Sequence, residues 1–158
     1  MIKHGFYIID EAFFDMVSDL YLKGNKTENR PHYYCLTDKM ISGLYWVIPL
    51  SSKIDKYRKI ISVSEQKYGR CDYVYICEVH GKEQAFLIQD MFPITAKFIK
   101  REYTVNGDHL ILENSKDIKE IEAKAKRIMS IMKRNERYKQ NHVDTDRIIS
   151  LLYEDESD

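Results

Sequence analysis

The sequence predicts a single α+β domain with a strongly twisted, mainly antiparallel sheet, and three patterns carry this prediction. Runs of β-favouring residues are separated by hairpin signals such as Asn106-Gly107. Apolar residues recur at helical spacing towards both ends of the chain. The 158 residues are 44% hydrophobic, and no repeat or Pro-rich linker divides them. Residues 1–158 are therefore expected to form one domain around its own core.

The N-terminal third predicts a strand, a helix and a pair of strands. Phe6 to Ile9 favours a strand, and Asp10 is typical of a helix N-cap. Gly24 is expected to end that helix, because glycine readily adopts the left-handed conformation of a C-cap. The apolar positions of the helix are Phe13, Val17, Leu20 and Tyr21. Residues 32–36 and 44–50 are expected to pair as strands. The core face of the second of these strands carries Trp46, Ile48 and Leu50.

The central third predicts a second helix and a hairpin. Ser52 stands three residues before Asp55, the spacing of a capping box, so a helix is expected to begin at Ser52 and to run to Tyr68-Gly69. Residues 72–79 and 83–88 flank a Gly-containing turn and predict a hairpin. The sequence Phe92-Pro93-Ile94 is expected to break the next strand, because proline cannot donate a ladder hydrogen bond.

The C-terminal third predicts a second hairpin and two helices. Residues 98–105 and 109–112 flank Asn106-Gly107 and are expected to pair. Asn114 or Ser115 is expected to cap a long amphipathic helix whose other face is rich in Lys and Arg. Its apolar stripe consists of Ile118, Ile121, Ala125, Ile128 and Met132. A short last helix carries Ile148, Ile149, Leu151 and Leu152.

The charges balance over the whole chain but not along it. There are 25 basic and 25 acidic residues, which at first sight argues against a nucleic-acid partner. From Lys53 to Arg70, however, there are six basic residues against two acids, and from Lys116 to Lys139 nine against four. The acids gather near the N-terminus and in the C-terminal tail. A neutral chain with this pattern can present a basic face, although lysines that only solvate exposed helices would give the same pattern.

The spacing of the three cysteines and the lengths of the apolar runs predict the cellular location of the protein. Cys35, Cys71 and Cys77 form no CxxC pair and lie in or beside strand-like runs, where free thiols act as small hydrophobic residues. A reducing cytoplasm suits them. No signal-peptide pattern and no apolar run of membrane-spanning length is present, so the expectation is a soluble cytoplasmic protein without a membrane partner.

The end of the predicted strand 44–50 is the best candidate site. Ser51, Ser52 and Lys53 follow this strand and precede the second helix. A helix N-terminus offers unpaired backbone N–H groups, so a phosphate bound there would also meet two hydroxyls and an ammonium group. The alternative is that Ser52 is only an N-cap and that Lys53 is a solvated first-turn residue.

A second polar segment lies just upstream and offers groups for proton transfer. His32 is either a buried, hydrogen-bonded ring or a group that shuttles a proton near neutral pH. Alternation along a strand places Tyr34, rather than Tyr33, on the same side as His32. Hydroxyls, a lysine and an imidazole or phenol suffice to cleave RNA without a metal, because the ribose 2′-OH is itself the nucleophile. The sequence contains no Gly-rich phosphate loop and no metal-binding motif, and no cofactor is expected.

Three segments together resemble a known family. They are Arg30-Pro31-His32-Tyr33-Tyr34-Cys35, Tyr45-Trp46-Val47-Ile48-Pro49-Leu50-Ser51-Ser52-Lys53 and Phe86-Leu87-Ile88-Gln89-Asp90-Met91-Phe92-Pro93-Ile94. In order and spacing these segments resemble the toxins of type III toxin-antitoxin systems, the ToxN/AbiQ family, and the CptN branch in particular. The resemblance extends from Phe6 to about Leu152. Upstream, the ToxN pattern has a plainer apolar strand where this chain has His32-Tyr33-Tyr34.

The resemblance implies both a fold and an activity. The fold would be a six-stranded, twisted antiparallel sheet, partly barrel-like as in plasmid-addiction RNases, with about four flanking helices. The activity would be that of a metal-independent endoribonuclease which cuts cellular mRNA and leaves 2′,3′-cyclic phosphate and 5′-OH ends. The partner would be a pseudoknot-like repeat RNA antitoxin, which the toxin processes and with which it alternates in a closed assembly. A role in phage resistance is implied, and no DNA partner.

The sequence thus leads to one hypothesis and two alternatives. In the hypothesis, Ser51, Ser52 and Lys53 hold the scissile phosphate, and His32 or Tyr34 assists transfer of the 2′-OH proton. Further RNA contacts are expected from Asn29, Arg30, Tyr33, Lys56, Tyr57, Lys119, Lys124, Lys126 and Arg127. The first alternative is a non-catalytic RNA-binding module of the same fold. The second is a protein-interaction domain that uses the last helix and the acidic tail.

Overall fold

The structure is a computed structural model that describes residues 1–22 and 30–154. The predicted helix end at Gly24 and the predicted RNA contact of Asn29 lie outside the described residues. The strands are β1 (Phe6–Ile9), β2 (His32–Thr37), β3 (Tyr45–Ser51), β4 (Tyr75–Val79), β5 (Lys82–Phe86), β6 (Phe92–Ile94), β7 (Ile99–Glu102), β8 (Thr104–Val105) and β9 (Asp108–His109). The α-helices are α1 (Glu11–Val17), α2 (Ile54–Tyr68), α3 (Ser115–Arg134), α4 (Glu136–Gln140) and α5 (Thr145–Glu154).

In the part of the chain that the structure describes, seven strands form one sheet in the order β4-β5-β3-β2-β1-β7, with β6 also paired to β3. Every strand pair of the described residues is antiparallel, so the predicted α+β class with a mainly antiparallel sheet is confirmed. The sheet has one strand more than the six expected. Within the described residues it is open, because β4 pairs only with β5 and β7 only with β1, and it does not close into a barrel.

Strand β3 is the centre of the sheet because it pairs with three strands, more than any other strand of the described residues. One edge pairs with β2, while the other pairs with β6 near its start and with β5 through Leu50 and Ser51 at its end. The expectation that Phe92-Pro93-Ile94 breaks a strand is wrong, since these residues form β6, with Pro93 opposite Trp46. A three-residue edge strand tolerates proline because it need not donate in both directions.

Helices cover both faces of the sheet. Helix α3 covers one face, where Trp46, Ile48 and Leu50 join its apolar stripe in the core, as predicted. Helices α1 and α5 cover the other face. A smaller cluster under α2 contains Tyr57. The layering follows from alternation along β3, which sends successive side chains to opposite faces.

Turn and cap residues explain where most of the elements end. The dipeptides His80-Gly81 and Asn106-Gly107 have φ values of 50° and 79° and of 54° and 85°, as two-residue hairpin turns require, so both predicted hairpins are confirmed. Gly69 ends α2 with φ of 81°, and Asn114 caps α3 by accepting a hydrogen bond from the backbone of Asp117.

Two predicted helix boundaries are wrong. Helix α1 ends at Val17, because Ser18 adopts a left-handed conformation, and Leu20 beyond it is 90% exposed. Helix α2 begins at Ile54 with Lys53 in the N-cap position and no side-chain cap, so Ser52 is not the N-cap.

The state of the cysteines and the apolar character of the helices can be compared with the sequence predictions. Cys35, Cys71 and Cys77 are free thiols and are buried, as expected of small hydrophobic residues. Burial is the main cause that raises the pKa of Cys35 to about 12. No helix within residues 1–22 and 30–154 combines the length and the apolar character needed to cross a bilayer.

Candidate functional site

The predicted serine and lysine step lies where β3 leaves the sheet. Ser51 is the last residue of β3 and is buried, whereas Ser52 and Lys53 are exposed. The Ser51 hydroxyl accepts a hydrogen bond from the backbone N–H of Lys53 over 3.2 Å. This bond fixes the chain at the point where the strand ends and α2 begins.

A small cleft opens at this point of the sheet. Its volume is about 190 Å³, and it is lined by Arg30, Pro31, Leu50, Ser51, Ser52, Lys82, Gln84 and Tyr103. Below, these eight residues are called the β3-end cleft. The cleft therefore contains both predicted serines but not Lys53.

Strand register explains why distant residues meet in the β3-end cleft. His32 lies opposite Pro49 in the antiparallel β2–β3 pair, so continuing the register by two residues brings Arg30 to the level of Ser51. On the other edge of β3, Leu50 pairs with Phe86 of β5. Alternation along β5 then places Gln84 and Lys82 on the same face as Phe86 and Leu50.

Arg30 is the buried cation of the β3-end cleft. The residue is only 6% exposed, and its Nη1 atom is buried without a hydrogen-bond partner among the described residues. Burial lowers the pKa of Arg30, while nearby Tyr57 and Asp90 raise it. A guanidinium group nevertheless stays protonated in proteins. Because a buried charge with an unused donor is costly, the site favours an anionic ligand.

Two other polar side chains of the cleft, Lys82 and Gln84, lie on β5. Lys82 begins β5 and is exposed, and Gln84 is half-buried on the same strand. Neither the Lys82 ammonium nor the Gln84 amide bonds to any side chain of the described residues. Two cations, three hydroxyls and one amide therefore line a space of about 190 Å³.

His32 lies apart from the β3-end cleft. It is fully buried, with its ring 5.9 Å from that of Phe14 and 5.6 Å from that of Phe92. Burial and then the Arg30 charge lower the pKa of His32 to about 3, and the Arg30 backbone offsets this only in part. The structure therefore places a neutral, enclosed imidazole here and not a group that faces the two serines. Its predicted role in proton transfer is not supported by this position.

The two tyrosines after His32 are buried as well. The Tyr34 hydroxyl bonds to that of Thr37, and Tyr34 lies opposite Val47, about 13 Å along the strand from Ser51. Tyr33 points to the other face, where its hydroxyl lies 3.0 Å from Nδ1 of His4. The predicted alternation of these two tyrosines is confirmed. Buried rings cannot stack on RNA bases, so the structure does not support an RNA contact by Tyr33.

The predicted RNA contacts of α2 divide between the surface and the core. Tyr57 is buried under α2. Lys56 is exposed, with its ammonium 5.2 Å from the centre of the Tyr57 ring. Of this pair, only Lys56 is accessible to a ligand.

The predicted basic face of α3 also divides into two sets. Lys124 donates to the Cys71 carbonyl, and the Arg127 guanidinium lies 2.9 Å from the Asp72 carboxylate, so both side chains hold the 71–72 segment. Lys126 is exposed but lies 3.1 Å from Glu122 on the same helix. Lys119 is exposed and has no ion pair among the described residues. The exposed set is therefore smaller than the sequence suggested.

Three cleft residues with polar side chains were not predicted from the sequence: Lys82, Gln84 and Tyr103. The alternation of polar Lys82 and Gln84 with Phe86 was visible in the sequence. What was missing is the pairing of β5 with β3, because the two strands are separated by α2 and β4. Tyr103 reaches the site through the junction between β7 and β8, which no local pattern marks.

Among the described residues, no three His, Cys, Asp or Glu side chains lie together as a metal site would require. No protein-family profile matches the chain. No curated protein matches its sequence either.

Proposed function

We propose that the protein is a metal-independent endoribonuclease of the ToxN/AbiQ type and that the β3-end cleft binds the scissile phosphate. The observation that carries the proposal is Arg30, a buried cation with an unused donor beside Ser51 and Ser52. The resemblance of the Ile48-to-Lys53 step and of its upstream and downstream segments to that family supports the same conclusion.

In the proposed reaction, the ribose 2′-OH attacks the adjacent phosphorus. The P–O5′ bond breaks, the 2′-OH gives its proton to solvent, and the leaving 5′ oxygen takes up a proton from solvent, so the products are a 2′,3′-cyclic phosphate and a 5′-OH. Negative charge builds up on the non-bridging oxygens, where Arg30 and Lys82 supply positive charge and the serine hydroxyls donate hydrogen bonds. Each positioned donor contributes on the order of 100- to 1,000-fold to such a reaction. The cleft is therefore assigned charge stabilisation.

The proposal includes the RNA partner and the setting. A structured repeat RNA, processed by the protein itself, would cover the β3-end cleft and the exposed lysines Lys119 and Lys126, and would inhibit cleavage of cellular mRNA in the cytoplasm. The accessible basic side chains on α3 support this arrangement. Release from the RNA would then let the enzyme act.

The test uses purified protein, EDTA and two RNA oligomers that differ at one position. One oligomer is all-ribose, and its match carries a 2′-deoxy nucleotide at the cleaved position. We expect cleavage of the first with 2′,3′-cyclic phosphate ends, seen by mass spectrometry, and no cleavage of the second. Equal cleavage of both oligomers excludes the proposed reaction, because the 2′-OH would then not be the nucleophile.

A second candidate function is a non-catalytic RNA-binding module. It is favoured by one observation: among the described residues, no histidine lines the β3-end cleft. In this case the cleft only anchors a backbone phosphate. The same experiment separates the two functions, since the module binds the all-ribose oligomer and leaves it intact.

A further inference from the structure

We propose that Tyr103 and Gln84 form a subsite for one unpaired nucleobase next to the phosphate position in the β3-end cleft. The inference rests on the proposed function only in taking RNA as the ligand. It assigns a role to the side of the cleft that binding of a phosphate leaves unexplained.

Tyr103 is held at the cleft by its backbone on both sides. Its N–H donates to the Phe6 carbonyl over 2.9 Å, and its carbonyl accepts from the N–H of Leu110 over 2.9 Å. The side chain is half-buried and packs against the core cluster on the α3 face of the sheet. A ring held in this way loses little conformational freedom when a ligand stacks on it.

His109 reinforces the position of Tyr103. Its Nε2 atom lies 3.0 Å from the Phe6 carbonyl oxygen that also accepts from Tyr103, and its Nδ1 atom lies 2.6 Å from the Glu102 carboxylate. The side chain thus links β9 to β1 and to the residue that precedes Tyr103. The junction between β7 and β8 is therefore fixed from two directions.

The chemistry of the two side chains suits a nucleobase. Aromatic side chains stack on unpaired bases of any kind, and Tyr103 is the aromatic residue that lines the cleft. The Gln84 amide offers one donor and one acceptor group, which is what discrimination between base edges requires. Neither group is bonded to another side chain of the described residues.

The size of the cleft limits the ligand. A volume of about 190 Å³ is below the 300 Å³ or more that is typical of sites for drug-sized molecules. The space therefore accommodates a single base beside a phosphate. Cleavage is expected only at nucleotides that are single-stranded or can be unpaired.

The test measures how the protein and the base depend on each other. The ligands are fluorescent RNA pentamers with 2′-fluoro sugars throughout, so that they lack the attacking hydroxyl and cannot be cut, and each of five variants has one abasic position. We expect one abasic position to weaken binding by the wild-type protein about tenfold, as loss of one stacked base should. The same abasic change should have less than a twofold effect on Tyr103→Leu. Tyr103→Phe, which keeps the ring, should behave like the wild-type protein.

Gln84 is tested with the same pentamers, now carrying each of the four bases at the sensitive position. We expect Gln84→Leu to reduce the difference between the best and the worst base by about fivefold while leaving the abasic effect in place. Circular dichroism of each variant checks that it is folded.

The inference is overturned if no abasic position weakens binding or if the abasic effect persists in Tyr103→Leu. It is also overturned if Tyr103→Phe loses the abasic effect, because the hydroxyl and not the ring would then matter. Failure of the proposed function gives a different result: the all-ribose pentamer stays intact while the abasic effect depends on Tyr103. Cleavage without that dependence contradicts the subsite alone.

Discussion

Arg30 and His32 are two residues apart, both are buried, and they have opposite consequences. Arg30 lines an open cleft with two serines and a lysine, and its Nη1 atom has no hydrogen-bond partner among the described residues. His32 is enclosed between the rings of Phe14 and Phe92. A polar residue that is close to a site in the sequence therefore contributes to that site only if its side chain lines the same cavity.

The chemistry of the two side chains explains how each tolerates burial. Imidazole can lose its proton, and burial therefore lowers the pKa of His32 to about 3, which leaves a neutral ring at physiological pH. A guanidinium group cannot do this, so Arg30 keeps its charge and requires an anion or an acceptor. Of the two, only Arg30 gains from a bound phosphate.

The largest expected effect is that of Arg30→Met, which removes the charge and keeps a long side chain. Cleavage of the all-ribose oligomer should fall about 100- to 1,000-fold, because charge stabilisation in the transition state is lost. Stability should stay equal or rise by about 1 kcal/mol, because a buried charge is replaced by an apolar group. Kinetics and urea denaturation measure the two effects.

The matched control for this variant is Arg101→Met, at an exposed arginine of β7. It should change neither cleavage nor stability. If Arg30→Met cleaves RNA normally, Arg30 has no more part in the reaction than the enclosed His32, and the proposed role of Arg30 is wrong.

The next effect concerns His32 and acid. The pKa of the folded state is lowered from 6.5 to about 3, so between these values the unfolded chain binds a proton that the folded chain does not. Stability should therefore fall as the pH drops through this window, by up to about 1.4 kcal/mol per pH unit from this residue. His32→Leu should show a correspondingly weaker loss of stability towards acid pH in denaturation curves.

His32→Leu should also retain cleavage if the protein is otherwise folded, because the ring does not face the cleft. A variant that unfolds with the same pH dependence as the wild-type protein contradicts the assignment of a neutral histidine. A folded variant that has lost cleavage selectively would restore the catalytic role predicted from the sequence.

A smaller effect on cleavage is expected for two exposed lysines, one of which lines the β3-end cleft while the other does not. Lys82 lines the cleft, whereas Lys53 does not. Lys82→Ala should slow cleavage about tenfold, and Lys53→Ala should change it less than threefold, because only the first removes a charge beside the phosphate. Single-turnover kinetics compares the two. The reverse order would return the role to the residue that the sequence favoured.

The smallest effect is expected for the lysines of α3. There too, only a side chain without a partner in the protein is available to bind RNA. Lys119→Ala should reduce the slope of log affinity against log salt concentration by the contribution of about one phosphate contact, since the Lys119 ammonium is available to a phosphate. Lys124→Ala should leave the salt slope unchanged and lower stability instead, because its side chain donates to the Cys71 carbonyl. Binding titrations at several salt concentrations, with thermal denaturation alongside, distinguish the two variants.

The sequence predicts local structure in this protein better than it predicts long-range pairing. Turn chemistry placed both hairpins correctly, and alternation placed Trp46, Ile48 and Leu50 on the core face. These features depend on residues close together in the chain. The pairing of β6 and β5 with one edge of β3 depends on the whole sheet, and no local pattern reveals it.

The candidate site was predicted in part for the same reason. Ser51 and Ser52 lie at the end of a strand that the sequence shows clearly, and the structure places both in the cleft. Lys82 and Tyr103 come from elements whose neighbours are set by strand order. The side of the sheet on which His32 lies was predictable, but the covering of that side by Phe14 and Phe92 was not.

Because β3 has partner strands on both edges, the cleft cannot be transferred to another protein as one short segment. A synthetic peptide that carries Ile48 to Lys53 would hold the two hydroxyls but none of the walls, which come from β5 and from the segments before β2 and after β7. Grafting the cleft onto another protein therefore requires the five consecutive strands from β5 to β7 of the sheet in their present register. Searches for related sites should compare strand arrangements as well as short sequence matches.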